Sequence, residues 1–253
     1  MEIIYRHDGI EVLNSCKNLE DLKDIEESLK TVDMIAESAF ADNEFLTEIN
    51  IPENIVKIGQ FAFARCKNLK KITLPQNTLV GRFAFYNSGL SELIINDSDL
   101  IQADAFRECK DLQMIKINSG HTIASRCFSR CDSLKDVILP KEVHYIGDRA
   151  FYKCEKLESI NLLGDVRVIG SQAFEHTNLL IVKLKEDVFI HEDAFDKSVV
   201  IKKIKGQENF VKATGLIRDS IAENSKIEHL SNEENVQNND NIIIQANDDI
   251  FNK

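Results

Sequence analysis

Apolar positions recur along this chain in one fixed phrase. An aliphatic residue stands at Ile35, Ile58, Val80, Ile101, Ile123, Ile146, Ile169 and Ile190. Four residues after each comes alanine, followed at once by phenylalanine: Ala39-Phe40, Ala62-Phe63, Ala84-Phe85, Ala105-Phe106, Ala150-Phe151, Ala173-Phe174 and Ala194-Phe195, with Cys127-Phe128 filling the one gap. The phenylalanines are 21 to 23 residues apart. Between them lies a second element of the form Leu-x-x-aliphatic-x-aliphatic, in "LTEINIP", "LKKITLP", "LSELIIN", "LQMIKIN", "LKDVILP", "LESINLL" and "LLIVKLK".

A unit of this length cannot bury its own apolar side and must stack on its neighbours, so the chain reads as a solenoid. The Leu-x-x-aliphatic element alternates with period two and predicts a short strand. Strands repeated in one direction make a parallel sheet with rungs roughly 4.8 Å apart, so eight coils stack over about 34 Å. Around Ala-Phe the apolar residues are four and five apart, which predicts a short helical turn behind the sheet. The expected fold is an α/β repeat solenoid, with one parallel sheet face and helical turns behind it. Each phenylalanine fills the space between turn and sheet, contributing roughly 1.5–3 kcal/mol by area burial.

The unit I-G-x-x-A-F-x-x-C-x-x-L-x-x-I-x-L-P resembles the BspA-like leucine-rich repeats of bacteria and parasitic protists. The resemblance covers about residues 35–205, eight coils. It implies a curved solenoid whose strands line one face, with roles in adhesion and host-protein binding.

Composition narrows the classes of function. The 253 residues carry a formal charge of −11. Residues 1–38 hold 4 basic and 10 acidic groups and residues 206–253 hold 4 and 9, while residues 39–205 balance at 23 of each. No basic patch is evident, so nucleic acid is not an expected partner. No apolar run approaches a membrane span. The start "MEIIYRHDGIEVLNS" lacks the pattern of a secretory leader, so the expected address is the cytoplasm, or the cell surface if the chain is a fragment.

The ends read as caps. In residues 1–34, Leu19, Leu22, Ile25 and Leu29 fall near helical spacing, and "CKNL" at Cys16 echoes Cys66. An N-terminal cap is expected there, either a helix or a worn-down coil. Phe210, Ala213, Ile217 and Ile221 predict a capping helix over 206–230, followed by a polar, flexible tail at 231–253.

Candidate chemistry is sparse. Cys66, Cys109, Cys131 and Cys154 each lie three residues after the repeat phenylalanine, where other coils carry Asn43, Ser88, Thr177 and Ser198. They read as small apolar fillers and reduced thiols, although rung spacing puts Cys109, Cys131 and Cys154 within reach of one another. The six histidines are read as occupying different repeat phases, so no metal column is expected. No catalytic motif is present, and no cofactor or enzymatic activity is expected.

Function is expected on the strand face. Residues two and four after the leading leucine point away from the core. They form one column of Glu48, Lys71, Glu92, Met114, Asp136, Ser159 and Ile181, and another of Asn50, Thr73, Ile94, Lys116, Ile138, Asn161 and Lys183. Both are mostly polar. In mid-stack, Ile94, Met114 and Ile138 form an apolar spot ringed by Lys71, Glu92, Lys116 and Asp136, the anatomy of a protein-binding patch. The expected function is a non-catalytic scaffold for a partner protein, with a glycan-binding adhesin or a structural, oligomer-forming solenoid as alternatives. No aromatic residue stands in either column to stack a sugar ring.

Overall fold

A computed structural model of the chain describes residues 2–5, 11–16 and 25–205. The chain divides into two compact units, residues 1–205 and 206–253. The capping helix expected at 206–230 and the tail at 231–253 lie outside the described residues.

The chain runs through β1 (Glu2–Tyr5), β2 (Glu11–Ser15), α1 (Ile25–Leu29), β3 (Met34–Ile35), β4 (Glu48–Asn50), β5 (Lys57–Ile58), β6 (Lys71–Thr73) and β7 (Leu79–Val80). It continues through β8 (Glu92–Asp97), β9 (Met114–Ser119), β10 (Thr122–Ile123), β11 (Asp136–Ile138), β12 (Tyr145–Ile146), β13 (Val168–Ile169), β14 (Ile181–Lys185), β15 (Phe189–Ile190) and β16 (Val200–Ile204). This is a solenoid of parallel strands, about eight coils long.

The strand face is not one sheet. Of the Leu-x-x-aliphatic segments, those of β4 and β6 pair, as do those of β8, β9 and β11, while β14 pairs with the added strand β16. The segment "LESINLL" forms no strand. There Asn161 Oδ1 accepts the Leu163 N–H at 3.1 Å, a local turn that competes with ladder pairing. A second line of parallel pairs, not anticipated from the sequence, runs through the aliphatic residues that precede each Ala-Phe. It comprises β2-β3-β5-β7 and β10-β12-β13-β15, with a single bridge from Val80 to Ile101.

The helical turns are absent. Residues two before and two after each repeat phenylalanine have positive φ, between 53° and 62°, from Ser38 and Asp42 in the first coil to Gln172 and His176 in the seventh. A right-handed helix needs negative φ throughout, so this segment cannot be one. Apolar spacing alone could not reveal the alternation.

What replaces the helix is a lateral ladder. Each repeat phenylalanine donates its N–H to the alanine-position carbonyl of the next coil. The seven bonds, from Phe40 to Ala62 O through Phe174 to Ala194 O, measure 2.7 to 3.0 Å and pass Cys127 without a break. The residue two further on repeats the bond in six coils, from Asp42 to Ala64 O through Lys153 to Glu175 O. Left-handed backbone costs an L-residue roughly 1–2 kcal/mol. Each lateral bond returns about 1 kcal/mol and spares a buried amide from standing unpaired.

Inside the ladder the phenylalanine rings stack, nearly parallel, with centroids 4.7 to 5.7 Å apart from Phe40 to Phe195. All are buried. Coils also approach closely elsewhere: a Cβ on Gly89 would sit 1.9 Å from Lys67 O.

At the N-terminal end, the alternatives of helix and worn-down coil both have a counterpart. Strand β2 joins the coil sheet in parallel with β3, and Cys16 is buried and donates its N–H to Ala39 O at 2.8 Å. Strand β1 then folds back antiparallel on β2. Helix α1 buries Ile25 and Leu29. Leu19 and Leu22 lie outside the described residues.

Arg130, exposed and at φ 61°, provides a test of the left-handed positions. Arg130→Gly is expected to be more stable than Arg130→Ala by about 1 kcal/mol in urea titrations, because glycine adopts this φ without strain. A helical turn would give the opposite order, alanine above glycine by a similar amount.

Candidate protein-binding face

Register brings most of the predicted patch together. Strands β8, β9 and β11 place Glu92, Met114 and Asp136 in one row, and Ile94, Lys116 and Ile138 in the next. Inward residues between them, Leu93, Ile115 and Val137, are buried. The outward residues therefore form a checkerboard. Met114 has an acid on either side in its own row, and Lys116 has an isoleucine on either side in its row. Met114 is diagonal to both isoleucines, a separation of about 7–8 Å. Ile94 and Ile138 are 51% and 52% exposed, and Met114 is half-buried.

Lys71 lies on the preceding rung. It faces Glu48 across the β4-β6 pair, and beside it the Ser91 N–H donates to Lys70 O at 3.2 Å, joining that rung to the chain entering β8.

The charges around the apolar spot are not spent within the fold. Neighbouring Lys70 pairs with Asp111 at 2.7 Å, and Lys110 with Asp132 at 3.9 Å. Among the described residues, Lys71, Glu92, Lys116 and Asp136 make no ion pair. Surface ion pairs are worth little here, but unpaired charges of both signs remain open to a partner.

Two features escaped the sequence reading. A second apolar group lies at the end of the strand face, where Leu180 is 70% exposed and Ile181 faces Val200 in register. Ile181 belonged to the column already drawn; the β-branched run that opens "VVIKKIK" was the unused signal for β16. The other is Asp104, whose side chain is 1% exposed. Its carboxylate accepts from Arg126 Nε and Nη2 at 2.9 and 3.0 Å and from Arg82 Nη2 at 3.2 Å, with Arg107 Nη1 at 3.5 Å. The position two before phenylalanine varies from coil to coil, so nothing in the sequence marked this aspartate as buried.

The cysteines have a shared job. Sγ of Cys66, Cys109, Cys131 and Cys154 donates to the phenylalanine carbonyl one coil back, at 3.0 to 3.3 Å. Asn43 fills this position in the first coil, donating to Cys16 O and accepting from the Phe45 and Leu46 amides. Burial pushes the thiols up, Cys66 to about 12 and Cys109 to about 11. Cys127, Cys131 and Cys154 rise for the same reason.

The histidines need one correction. His121 and His144 share a repeat phase, two residues before the aliphatic position, and their rings lie 5.2 Å apart. A hydrogen bond to Asp99 at 2.9 Å raises the His121 pKa, while desolvation lowers that of His144. Among the described residues no group of three His, Cys, Asp or Glu side chains is placed to hold a metal ion. His7 and His229 lie outside the described residues.

The BspA type leucine rich repeat region matches in 6 copies, over residues 9–110, 33–136 and 121–247. No curated protein is a significant match. Among solved structures, a leucine-rich repeat protein from Bacteroides ovatus is 23% identical, with a TM-score of 0.51 over 72% of this chain and 54% of that one. The chain thus spans about half the length of that protein, and the likeness supports the fold alone. A T. pallidum leucine-rich repeat protein is 26% identical, covering 79% of this chain and 82% of its own, with a TM-score of 0.46. A leucine rich cell surface protein from Faecalibacterium prausnitzii is 18% identical, covering 80% and 74%, with a TM-score of 0.41.

The thiol arrangement predicts a pH dependence. A thiol whose folded pKa exceeds its unfolded value stabilises the fold fully below the unfolded value, about 9, and loses that contribution as pH rises through 11 to 12. The urea midpoint is therefore expected to fall as pH rises above about 9. A thiol reagent at neutral pH is expected to find no reactive cysteine in the native chain. In denaturant without reductant it should find six; two or four would reveal a disulfide.

Proposed function

The chain belongs to the BspA-type leucine-rich-repeat family, and on that premise we propose that it is a non-catalytic scaffold that binds a partner protein on its exposed strand face. The supporting observation is the checkerboard on β8, β9 and β11. Three apolar side chains stand on consecutive rungs, interleaved with charges of both signs that make no ion pair among the described residues. Burying Ile94, Met114 and Ile138 under a partner supplies affinity, and the interleaved Glu92, Lys116 and Asp136, with Lys71 at the margin, supply selection of a partner with complementary charges.

The backbone behind the patch is fixed by the lateral ladder and the stacked phenylalanines, so the face is pre-organised and binding orders only side chains. The absence of aromatic residues from the two outward columns weighs against sugar stacking. No helix among the described residues is long and apolar enough to cross a membrane.

Met114→Asp tests the reading. A charge on this half-exposed position leaves the core untouched, so the melting temperature is expected to stay within about 2 °C. In affinity capture from the source cell, quantified by mass spectrometry, proteins retained by the wild type should be lost from the variant. Equal recovery by both would move the binding site off this patch.

A further inference from the structure

The last strand carries a different surface. In β16 the Val200 N–H donates to Leu180 O at 2.9 Å, and the strand pairs in parallel with β14. Alternation along a strand then directs the backbone groups of Val200, Lys202 and Ile204 toward β14, and those of Ile201 and Lys203 away from it. Among the described residues the outward N–H and C=O groups of Ile201 and Lys203 have no hydrogen-bond partner. All five residues of β16 are exposed.

The side chains say what can approach this edge. Lys202 lies opposite Lys183, two like charges on adjacent rungs. Lys203 is in line with Leu184, at the place where earlier coils carry leucine or isoleucine. Its Nζ reaches instead to the carbonyl oxygens of Val188 at 3.0 Å and Glu186 at 3.4 Å. An inward lysine on an edge strand rejects a further apolar coil. A second copy approaching through the same edge would set lysines against lysines. Beside these charges stand Val200, Ile201 and Ile204, 37% to 52% exposed. Open backbone groups, exposed aliphatics and adjacent lysines together select an extended segment that alternates acidic and apolar residues.

We propose that the edge of β16, open among the described residues, accepts an acidic, extended segment of a partner protein as an added strand. Main-chain bonds to Ile201 and Lys203 would hold the segment, and Lys202, with Lys183 on the rung behind it, would select its carboxylates. This surface is distinct from the Met114 patch, so either can fail without the other.

The test uses the full chain and a fluorescein-labelled octapeptide alternating glutamate and valine, with a lysine–valine octapeptide as control, followed by fluorescence anisotropy. The acidic peptide alone is expected to bind, at least tenfold more weakly in 0.5 M salt than in 0.05 M. Lys202→Glu reverses one selecting charge, and Ile201→Pro removes one outward N–H while leaving the bonds to β14. Each is expected to weaken binding at least tenfold, at unchanged melting temperature, and Met114→Asp is expected to leave it unchanged. Failure of the acidic peptide to bind, or equal binding of the lysine peptide, would overturn the proposal. So would undiminished binding to Ile201→Pro, since charge attraction without strand addition needs no backbone donor.

Discussion

The hydrogen bond from each repeat phenylalanine to the alanine-position carbonyl of the next coil is the contact on which the rest of this structure depends. It runs through eight coils without interruption, whereas the pairing of the strand face breaks into three sheets. To make it, residues on either side of the phenylalanine adopt left-handed backbone without the help of glycine. The strain is tolerable because seven successive coils carry it at the same places, so neighbouring peptide groups meet in register. The ring spacing of about 5 Å in the phenylalanine stack follows from the same register.

Several sequence features become intelligible from that constraint. The residue after phenylalanine by three must be small enough to fit under the preceding coil, and Cys66, Cys109, Cys131 and Cys154 also donate to that coil's phenylalanine carbonyl. Asn43 donates its side-chain amide to Cys16 O at the first coil, where it also ties down the chain entering β4. A cysteine column that resembles a redox or metal device is thus a packing and hydrogen-bonding device, held protonated by burial. The outward strand positions carry no such duty and are free to vary.

Much of this was legible in the sequence because stacking enforces repetition. Period, coil number, inward and outward strand positions, and the register that joins Ile94, Met114 and Ile138 all follow from the position of Ala-Phe. The conformation of the Ala-Phe segment was not legible, since spacing reports which side chains are buried and not the sign of φ. The gap at "LESINLL" was hidden because one asparagine side chain redirects a segment whose pattern is otherwise regular. Asp104 was hidden because its burial comes from arginines of neighbouring coils, Arg82 and Arg126, brought close only by stacking. Strand β16 follows the last phenylalanine without a leading leucine, so the repeat template passed over it.

A rigid turn ladder and a discontinuous strand face divide labour within one coil: the first fixes geometry, and the second presents interchangeable side chains. Native-state hydrogen exchange, resolved by residue, tests this division most directly. The account predicts that the amides of Phe63, Phe85, Phe106, Phe128 and Phe151 exchange most slowly and at closely similar rates, outlasting strand-face amides such as those of Ile72 and Val137. Slower exchange at the strand-face amides than at the phenylalanines would contradict it, and would make the strand face the frame of the solenoid.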